Sequence, residues 1–423
     1  MSFFFIQLYL ILVLIRPQDY PQWADEFSFP ILPTVLGIAL LSWLVSAGKS
    51  LSAPQYPLLG VFLVVLMLSK LVNGWAGGML EQLQLFGPIV VVFLLLAHAT
   101  STVRRVTLTM TVFALCAGVL AVYGIEQVRN GIGWTGQPLS QETRIQYVGI
   151  FNDPNDLGLL FVMCLPMAFY LSTRGGFMGL RRLFWLALAA ALLWGIFLTN
   201  SRGAFVAVAV LVAVFVWRRR GIIWAAVLGS CFVVAMMALP SRMQELDVDE
   251  ESAFGRIDAW YEGLQMFSGH PIFGVGAGNF TEINPLTAHN SFVLVLAETG
   301  IIGYMLWFIF VCYGFRMTMA VLHHNPEPAD AATPAWKTER SLATTLLLAQ
   351  AGFFAAAFFL SRSYVILLYL LTALVLGWYT GARERWPALP RFELSRDLIR
   401  WPLIAVASVA GLYVIVKLLM LTG

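Results

Sequence analysis

Residues 289–316 read HNSFVLVLAETGIIGYMLWFIFVCYGFR, and between the two ends Glu298 is the single acidic or basic side chain. A helix needs about 20 predominantly apolar residues to cross a bilayer, and this stretch provides them. The hydrophobicity is continuous, whereas barrel strands alternate apolar and polar residues in segments of about ten. Lipid offers the backbone no hydrogen-bonding partners, so the stretch is predicted to be a transmembrane helix.

Similar apolar runs recur along the chain, which is 59% hydrophobic and only 12% charged, against about 25% charged in soluble domains. We predict one all-α membrane domain over residues 1–423, a polytopic helical bundle of about 12–13 transmembrane helices under a partly helical cap of outer, periplasmic loops. The predicted segments are about 2–16, 31–47, 57–73, 84–100, 106–125, 157–173, 183–200, 203–217, 221–239, 289–316, 342–360, 364–380 and 401–420.

The basic residues predict the orientation, because cytoplasmic loops of membrane proteins are rich in Lys and Arg. With a cytoplasmic N-terminus, most basic residues fall inside and most acidic ones outside, as expected for the bacterial inner membrane. The segment at 401–420 is the least secure, and whether it spans stays open. Some arginines remain outside, either to bind an anionic substrate group or to pair with outer acids. They are Arg16, Arg129, Arg144, Arg202, Arg242, Arg256 and Arg362.

Two of the outer loops, at about 126–156 and 240–288, are long, and long loops in compact proteins are commonly functional. Within the second loop, apolar residues recur at intervals of three and four over about 253–267. Ser252 is placed to cap this stretch, and the residues at 269–271 end it. The pattern predicts an amphipathic helix on the outer membrane surface.

Four motifs on the outer face carry the chemistry. Together, in this order, they resemble the O-antigen ligase and polymerase family, membrane enzymes that take glycans from undecaprenyl pyrophosphate. The resemblance covers about residues 144–303 and does not separate ligase from polymerase. The motifs are RIQYVGIFNDPND at 144–156, TNSRG at 199–203, GRIDAW at 255–260 with FGVGAGNF at 273–280, and HN at 289–290 with ETGIIG at 298–303.

The resemblance implies an inverting, metal-independent glycosyl transfer in which His289 is the base. A neutral imidazole, with a usual pKa of about 6.5, can take a proton from an acceptor hydroxyl. The alternative is an interfacial histidine without a catalytic role. Asn290 and Asn279 are interpreted as residues that support the site.

Arginines are implied to hold the pyrophosphate, because a guanidinium pairs bidentately with phosphate and keeps its charge. Arg202 lies in a tight turn, Arg256 on the amphipathic helix and Arg144 in the first long loop. Each has an alternative. Arg202 could extend towards lipid headgroups, Arg256 could pair with Asp258 or Glu262, and Arg144 could anchor its loop.

Glu298 is a buried acid inside a membrane segment, which is costly and usually functional or paired. Nine residues along a helix put it about 13 Å from His289 and on the opposite face. We therefore expect it to support the structure by binding a neighbouring helix, which Gly300 and Gly303 would let approach closely.

Two further motifs have weaker interpretations. Glycines at 274, 276 and 278 follow no strand, so we expect them to form a flexible loop over the site, with positive φ angles, and not a nucleotide site. In the NDPND sequence, Asn155 or Asp156 is expected to cap the next helix.

Metal and cofactor roles are not expected. Asp247 and Asp249 form a DxD pair that some transferases use for a metal, but they lie in an acidic run typical of solvated surface. We therefore expect no metal and no cofactor. The cysteines lie in apolar runs and are interpreted as small buried residues. They are Cys116, Cys164, Cys231 and Cys312.

The expected function is transfer of a glycan from undecaprenyl pyrophosphate to a periplasmic acceptor, most simply as an O-antigen ligase using a lipid A core. A polymerase acting on a lipid-linked glycan and a protein O-oligosaccharyltransferase are the alternatives. From other classes, a lipid-linked sugar transporter would show inverted repeats, and a metal-dependent transferase would use Asp247 and Asp249. The net charge of +3 requires no nucleic-acid partner.

Overall fold

A computed structural model describes residues 2–24, 29–174, 179–238 and 253–422. Over these residues the regular secondary structure is helical, apart from two isolated β-bridges within residues 132–144. The helices are α1 (Ser2–Ile15), α2 (Pro21–Ala24), α3 (Ile31–Leu44), α4 (Gln55–Val72), α5 (Gly77–Ala99), α6 (Val103–Asn130), α7 (Pro154–Ser172), α8 (Leu180–Leu198), α9 (Arg202–Arg220), α10 (Ile222–Ala238), α11 (Ala253–Gly269), α12 (Phe280–Ile283), α13 (Ser291–His323), α14 (Pro328–Ala331), α15 (Pro334–Ala357), α16 (Ile366–Arg385) and α17 (Arg400–Thr422).

The all-α membrane bundle predicted from the sequence is confirmed, and every predicted segment falls on a helix. Within the described residues, nine helices are long and apolar enough to cross a membrane, and two shorter apolar helices accompany them. Helix α11 occupies the place of the predicted amphipathic helix. Ser252, Asp247, Asp249 and Arg242 lie outside the described residues.

Successive long helices run in opposite directions between two ends of the bundle. The loop-rich end carries residues 131–153, 199–201, 270–290 and 358–365, and contacts such as the 3.0 Å hydrogen bond from Arg144 to the Thr199 carbonyl join these loops. At the opposite end, Arg385 at the end of α16 donates to the Ser101 carbonyl after α5 at 2.9 Å, and His98 near the end of α5 contacts the Ser50 carbonyl after α3 at 2.9 Å. The loops that hold the sequence motifs therefore converge at one end.

Helices α7 and α16 form the centre of the bundle, since 83% of each is buried within the protein. Helix α17 is peripheral, with 17% of its residues buried. It nevertheless runs the length of the bundle. Trp401 stacks edge-on against Tyr313 near the opposite end, and the Lys417 ammonium lies 5.0 Å from the ring of Tyr261 in α11. The last segment is therefore long enough to span the membrane.

Helix α13 is broken at Gly300, whose φ of 62° and ψ of −164° are non-helical. The break leaves backbone groups without intrahelical partners, and a loop supplies them. The Ala297 carbonyl accepts from the Val275 N–H at 3.0 Å, and the Glu298 carbonyl accepts from the Gly276 N–H at 3.0 Å. Residues 271–276 therefore insert into the break as a backbone-to-backbone contact.

Glycine is required on both sides of this contact. A Cβ on Gly300 would lie 2.4 Å from the Ile272 carbonyl carbon, and one on Gly274 would lie 2.3 Å from the Glu298 carbonyl carbon. Glycines 274, 276 and 278 have positive φ angles, as the sequence predicted. The expectation of a helix approaching Gly300 is wrong, because the approaching element is a loop. The loop is held to α13 by backbone hydrogen bonds from Val275 and Gly276.

The variant Gly300→Ala tests the contact. A methyl group would both clash with Ile272 and strain the backbone, so we expect a loss of about 1–3 kcal/mol in stability. The measurement is the thermal unfolding midpoint of the purified protein in detergent. Gly411→Ala in α17 is the control, because its Cβ would meet no atom within 4 Å. Equal midpoints for the two variants would contradict the prediction.

Candidate active site

A small cleft lies at the loop-rich end, and its roughly 290 Å³ of empty space includes open solvent. Three arginines that are far apart in the sequence meet there, and they are the three that the sequence analysis assigned to pyrophosphate. Asparagine side chains and a small apolar patch complete the walls. The lining residues are Arg144, Asn155, Asn200, Arg202, Gly203, Arg256, Phe359 and Leu360.

Arg144 reaches the cleft from the loop after α6, and its side chain is held in place on several sides. Its guanidinium donates to the Thr199 carbonyl at 3.0 Å, to Asn155 Oδ1 at 3.0 Å and to Gln141 Oε1 at 3.4 Å. Each of these accepting oxygens is neutral, and together the three bonds fix the position of the guanidinium. Arg144 thus anchors its loop and contributes positive charge to the cleft.

Arg202 is the first residue of α9, after a tight turn in which Asn200 has a positive φ of 48°. Ser201 caps the helix by accepting from the Ala204 N–H at 3.3 Å. The helix dipole disfavours a cation at this terminus and favours an anion. Arg202 and the start of α9 therefore present positive charge to the same space, which suits a phosphate group.

Arg256 projects from α11, and its Nε atom is buried without a hydrogen-bonding acceptor among the described residues. The expected alternative was an ion pair with Asp258 or Glu262. In the described part of the chain, neither acid forms that pair. A buried donor without a partner costs about 1–3 kcal/mol, so an oxygen-rich ligand in the cleft would satisfy it.

His289 lies just before α13 and is half-buried, with a positive φ of 44° that is uncommon for a residue with a side chain. It does not line the cleft itself. Two residues later, the Ser291 hydroxyl donates to the carbonyl of Leu360, a lining residue, at 2.6 Å. The start of α13, two residues after His289, therefore contacts the wall of the arginine cleft.

Asn290 caps α13 through its side chain. Its Oδ1 accepts from the N–H groups of Phe292 at 2.9 Å and Val293 at 3.1 Å. Its Nδ2 is buried and has no acceptor among the described residues. Because the cap fixes where the helix begins, Asn290 also fixes the backbone that carries His289.

Glu298 and Asn279 support the inserted loop, at a distance from the cleft. Glu298 Oε1 accepts from the Phe280 N–H at 3.2 Å, at the start of the short helix α12. Asn279 accepts from the buried Lys70 ammonium at 2.6 Å. The expected partner was a neighbouring helix, and the structure gives Glu298 the first N–H of α12 and an electrostatic interaction with Lys70 of α4.

Asp153 is the cap of α7, so the expectation of Asn155 or Asp156 is wrong. Its Oδ1 accepts from the Asn155 N–H at 2.8 Å. The residue before a proline is biased towards extended backbone, which is the conformation of a cap residue, and Pro154 therefore selects Asp153. This leaves Asp156 to bind Arg362.

Arg362 pairs with Asp153 and Asp156, so of the two alternatives open for the outer arginines it follows pairing with outer acids, although the sequence did not identify which acids. No spacing rule links residues this far apart. In the described residues, no group of three His, Cys, Asp or Glu side chains could hold a metal ion. The pair Asp247 and Asp249 is outside those residues.

Residues 159–308 match a family model described as O-antigen ligase. The matched stretch runs from α7 into α13 and contains Arg202, Arg256 and His289, while Arg144 precedes it. A comparison with curated proteins gave no match.

The cap of α13 can be tested with Asn290→Ala. Loss of the two accepted hydrogen bonds should lower stability by about 0.5–2 kcal/mol. Asn290→Ser keeps a capping oxygen and should retain most of the stability. Thermal unfolding in detergent measures both, and an Ala variant as stable as the Ser variant would show that the cap contributes nothing.

Proposed function

We propose that the chain, whose residues 159–308 match the O-antigen ligase family model, is an O-antigen ligase. It transfers a glycan from undecaprenyl pyrophosphate to an acceptor hydroxyl at the periplasmic face of the bacterial inner membrane. The observation that carries the proposal is the convergence of Arg144, Arg202 and Arg256 on one cleft, with a buried donor of Arg256 left for a ligand.

The donor pyrophosphate binds in the arginine cleft. A guanidinium forms two parallel hydrogen bonds to phosphate oxygens, and the start of α9 adds further N–H donors. As the glycosidic bond breaks, negative charge grows on the pyrophosphate. The guanidinium groups are already oriented, so they stabilise this charge without rearranging.

His289 acts as the base. Its imidazole takes the proton of the acceptor hydroxyl, and the freed oxygen attacks the anomeric carbon from the face opposite the pyrophosphate. The new carbon–oxygen bond forms as the bond to phosphate breaks, and undecaprenyl pyrophosphate leaves with the bonding electrons. One displacement inverts the anomeric centre and leaves the proton on His289.

The apolar part of the cleft suits the lipid end of the donor. Phe359 and Leu360 line it beside Gly203, where a Cβ would lie 3.5 Å from Phe359 Cβ. At this distance α9 and the segment after α15 are in ordinary packing contact. The polyprenyl chain of the donor enters beside this apolar wall from the membrane.

The acceptor distinguishes the alternatives within the family. A ligase uses a lipid A core, a polymerase uses another lipid-linked glycan, and a protein O-oligosaccharyltransferase uses a protein hydroxyl. The compact chain, with one major outer loop in its later half, favours the ligase.

The decisive test is glycan transfer by the purified protein in nanodiscs, with an undecaprenyl-pyrophosphate glycan and each candidate acceptor. We expect transfer to a lipid A core. Removal of the base in His289→Ala should lower turnover by at least about 100-fold, and Arg202→Ala and Arg256→Ala should do likewise through lost charge stabilisation. Arg129→Ala, an exposed arginine at the end of α6, is the control.

Each other outcome has a clear meaning. Transfer only to a lipid-linked glycan or a protein would replace the ligase by the corresponding alternative. Full turnover in His289→Ala would remove the base assignment. Absence of transfer to every acceptor, with movement of the lipid-linked sugar across the membrane, would identify a transporter.

Metal independence is tested by repeating the transfer assay with and without EDTA. The proposed mechanism assigns the charge stabilisation to arginines, so we expect unchanged turnover. Loss of turnover with EDTA and its recovery with Mg²⁺ or Mn²⁺ would point to Asp247 and Asp249, and Asp247→Asn would then abolish it.

A further inference from the structure

Arg362 forms an ion pair with two aspartates at the loop-rich end, although it is not among the residues that line the cleft. Its guanidinium binds both oxygens of Asp156 and also donates to Asp153 Oδ2 at 3.0 Å. The Arg362 side chain is only 21% exposed and that of Asp156 only 13%. Burial alone would lower the pKa of Arg362, but the charges of the two aspartates outweigh it and raise this pKa, so the guanidinium stays charged.

The backbone around Arg362 is fastened to the segment that carries His289. The Arg362 N–H donates to Ser291 Oγ at 2.9 Å, and the Ser363 hydroxyl donates to the Ser291 carbonyl at 2.7 Å. A further hydrogen bond of 2.8 Å joins the hydroxyls of Thr287 and Ser361. These bonds lie on both sides of His289, whose left-handed backbone needs such support.

On its other side, Arg362 is connected to the cleft through Asp153 and a series of hydrogen bonds. Asp153 Oδ1 accepts from the side-chain amide of Asn155 at 2.9 Å, and Asn155 Oδ1 accepts from the Arg144 guanidinium at 3.0 Å. A continuous series of contacts therefore joins His289 to Arg144, with the Arg362 ion pair in the middle. The series connects the proposed base with the proposed pyrophosphate site.

We infer that Arg362 is a positioning residue that fixes His289 relative to the arginine cleft. The inference rests on the proposed function. Arg362 holds the start of α7 and the start of α13 together, and these two starts carry Asn155 and His289. Without the pair, the cleft still binds the donor, but the base no longer faces the acceptor hydroxyl at the right distance.

The kinetic test uses Arg362→Gln, which keeps a polar side chain but not the charge or the fork of donors. A misplacement of about 1 Å can reduce a rate about 100-fold, so we expect kcat to fall about 10- to 100-fold. The KM for the donor should stay within about threefold, because the pyrophosphate contacts remain. A raised donor KM with unchanged kcat would overturn the inference and make Arg362 a donor-binding residue.

Arg316→Gln is the matched control. Arg316 pairs with Asp397 at the opposite end of the bundle, and Asp397 is 13% exposed, the same as Asp156. Both variants should lose similar thermal stability, but kcat should fall in Arg362→Gln alone. Equal losses of kcat would reduce the role of Arg362 to general stability and contradict the inference.

A second variant guards against misfolding. Asp156→Asn removes the other half of the pair, and the double variant with Arg362→Gln should have the kcat of a single variant, because the two residues act as one unit. If the loss of kcat in the double variant equals the product of the losses in the two single variants, the residues act independently and the inference is contradicted.

Hydrogen exchange provides a readout that does not depend on turnover. Amide exchange over residues 287–293 should accelerate in Arg362→Gln and stay unchanged in Arg316→Gln. Unchanged exchange in Arg362→Gln overturns the inference even if the wild type is active. If exchange is faster in Arg362→Gln but the wild type transfers no glycan, Arg362 still holds the segment around His289 in place. The proposed function and the role of Arg362 in catalysis are then refuted.

Discussion

The interruption of α13 is the constraint on which the loop-rich end depends. A backbone break inside a membrane helix is tolerated only where other protein groups satisfy the freed N–H and C=O groups. Here residues 271–276 satisfy these groups at Gly300. The two backbones are so close that both segments need a glycine at the contact, Gly274 in the loop and Gly300 in the helix. The contact fixes the path of the chain after α11, and so it limits where Arg256 and His289 can lie.

Positive charge is the second organising feature. Arginines that meet in one cleft repel each other, and the start of α9 adds to the positive potential. Arg144 is oriented by hydrogen bonds to the Thr199 carbonyl and to Asn155 Oδ1. An arrangement of this kind is stabilised by an anion, and a pyrophosphate whose charge increases during reaction gains most from it.

The ion pair of Arg362 connects the broken helix α13 with the arginine cleft. Arg362 binds the cap of α7, and its backbone binds the start of α13. Helix starts are rigid compared with long loops, so the proposed base and the proposed anion site, each built on one of them, are held at a constant separation.

The sequence alone determined the membrane class, the helical architecture and the candidate residues, because these follow from continuous hydrophobicity and from arginines and a histidine kept in outer motifs. It predicted that Arg144, Arg202 and Arg256 bind one group. Their meeting in a cleft, the loop that replaces a helix at Gly300, the cap at Asp153 and the Arg362 pair were decided by the tertiary structure. Each depends on contacts between residues far apart in the chain, and periodicity and local spacing carry no information about such distances.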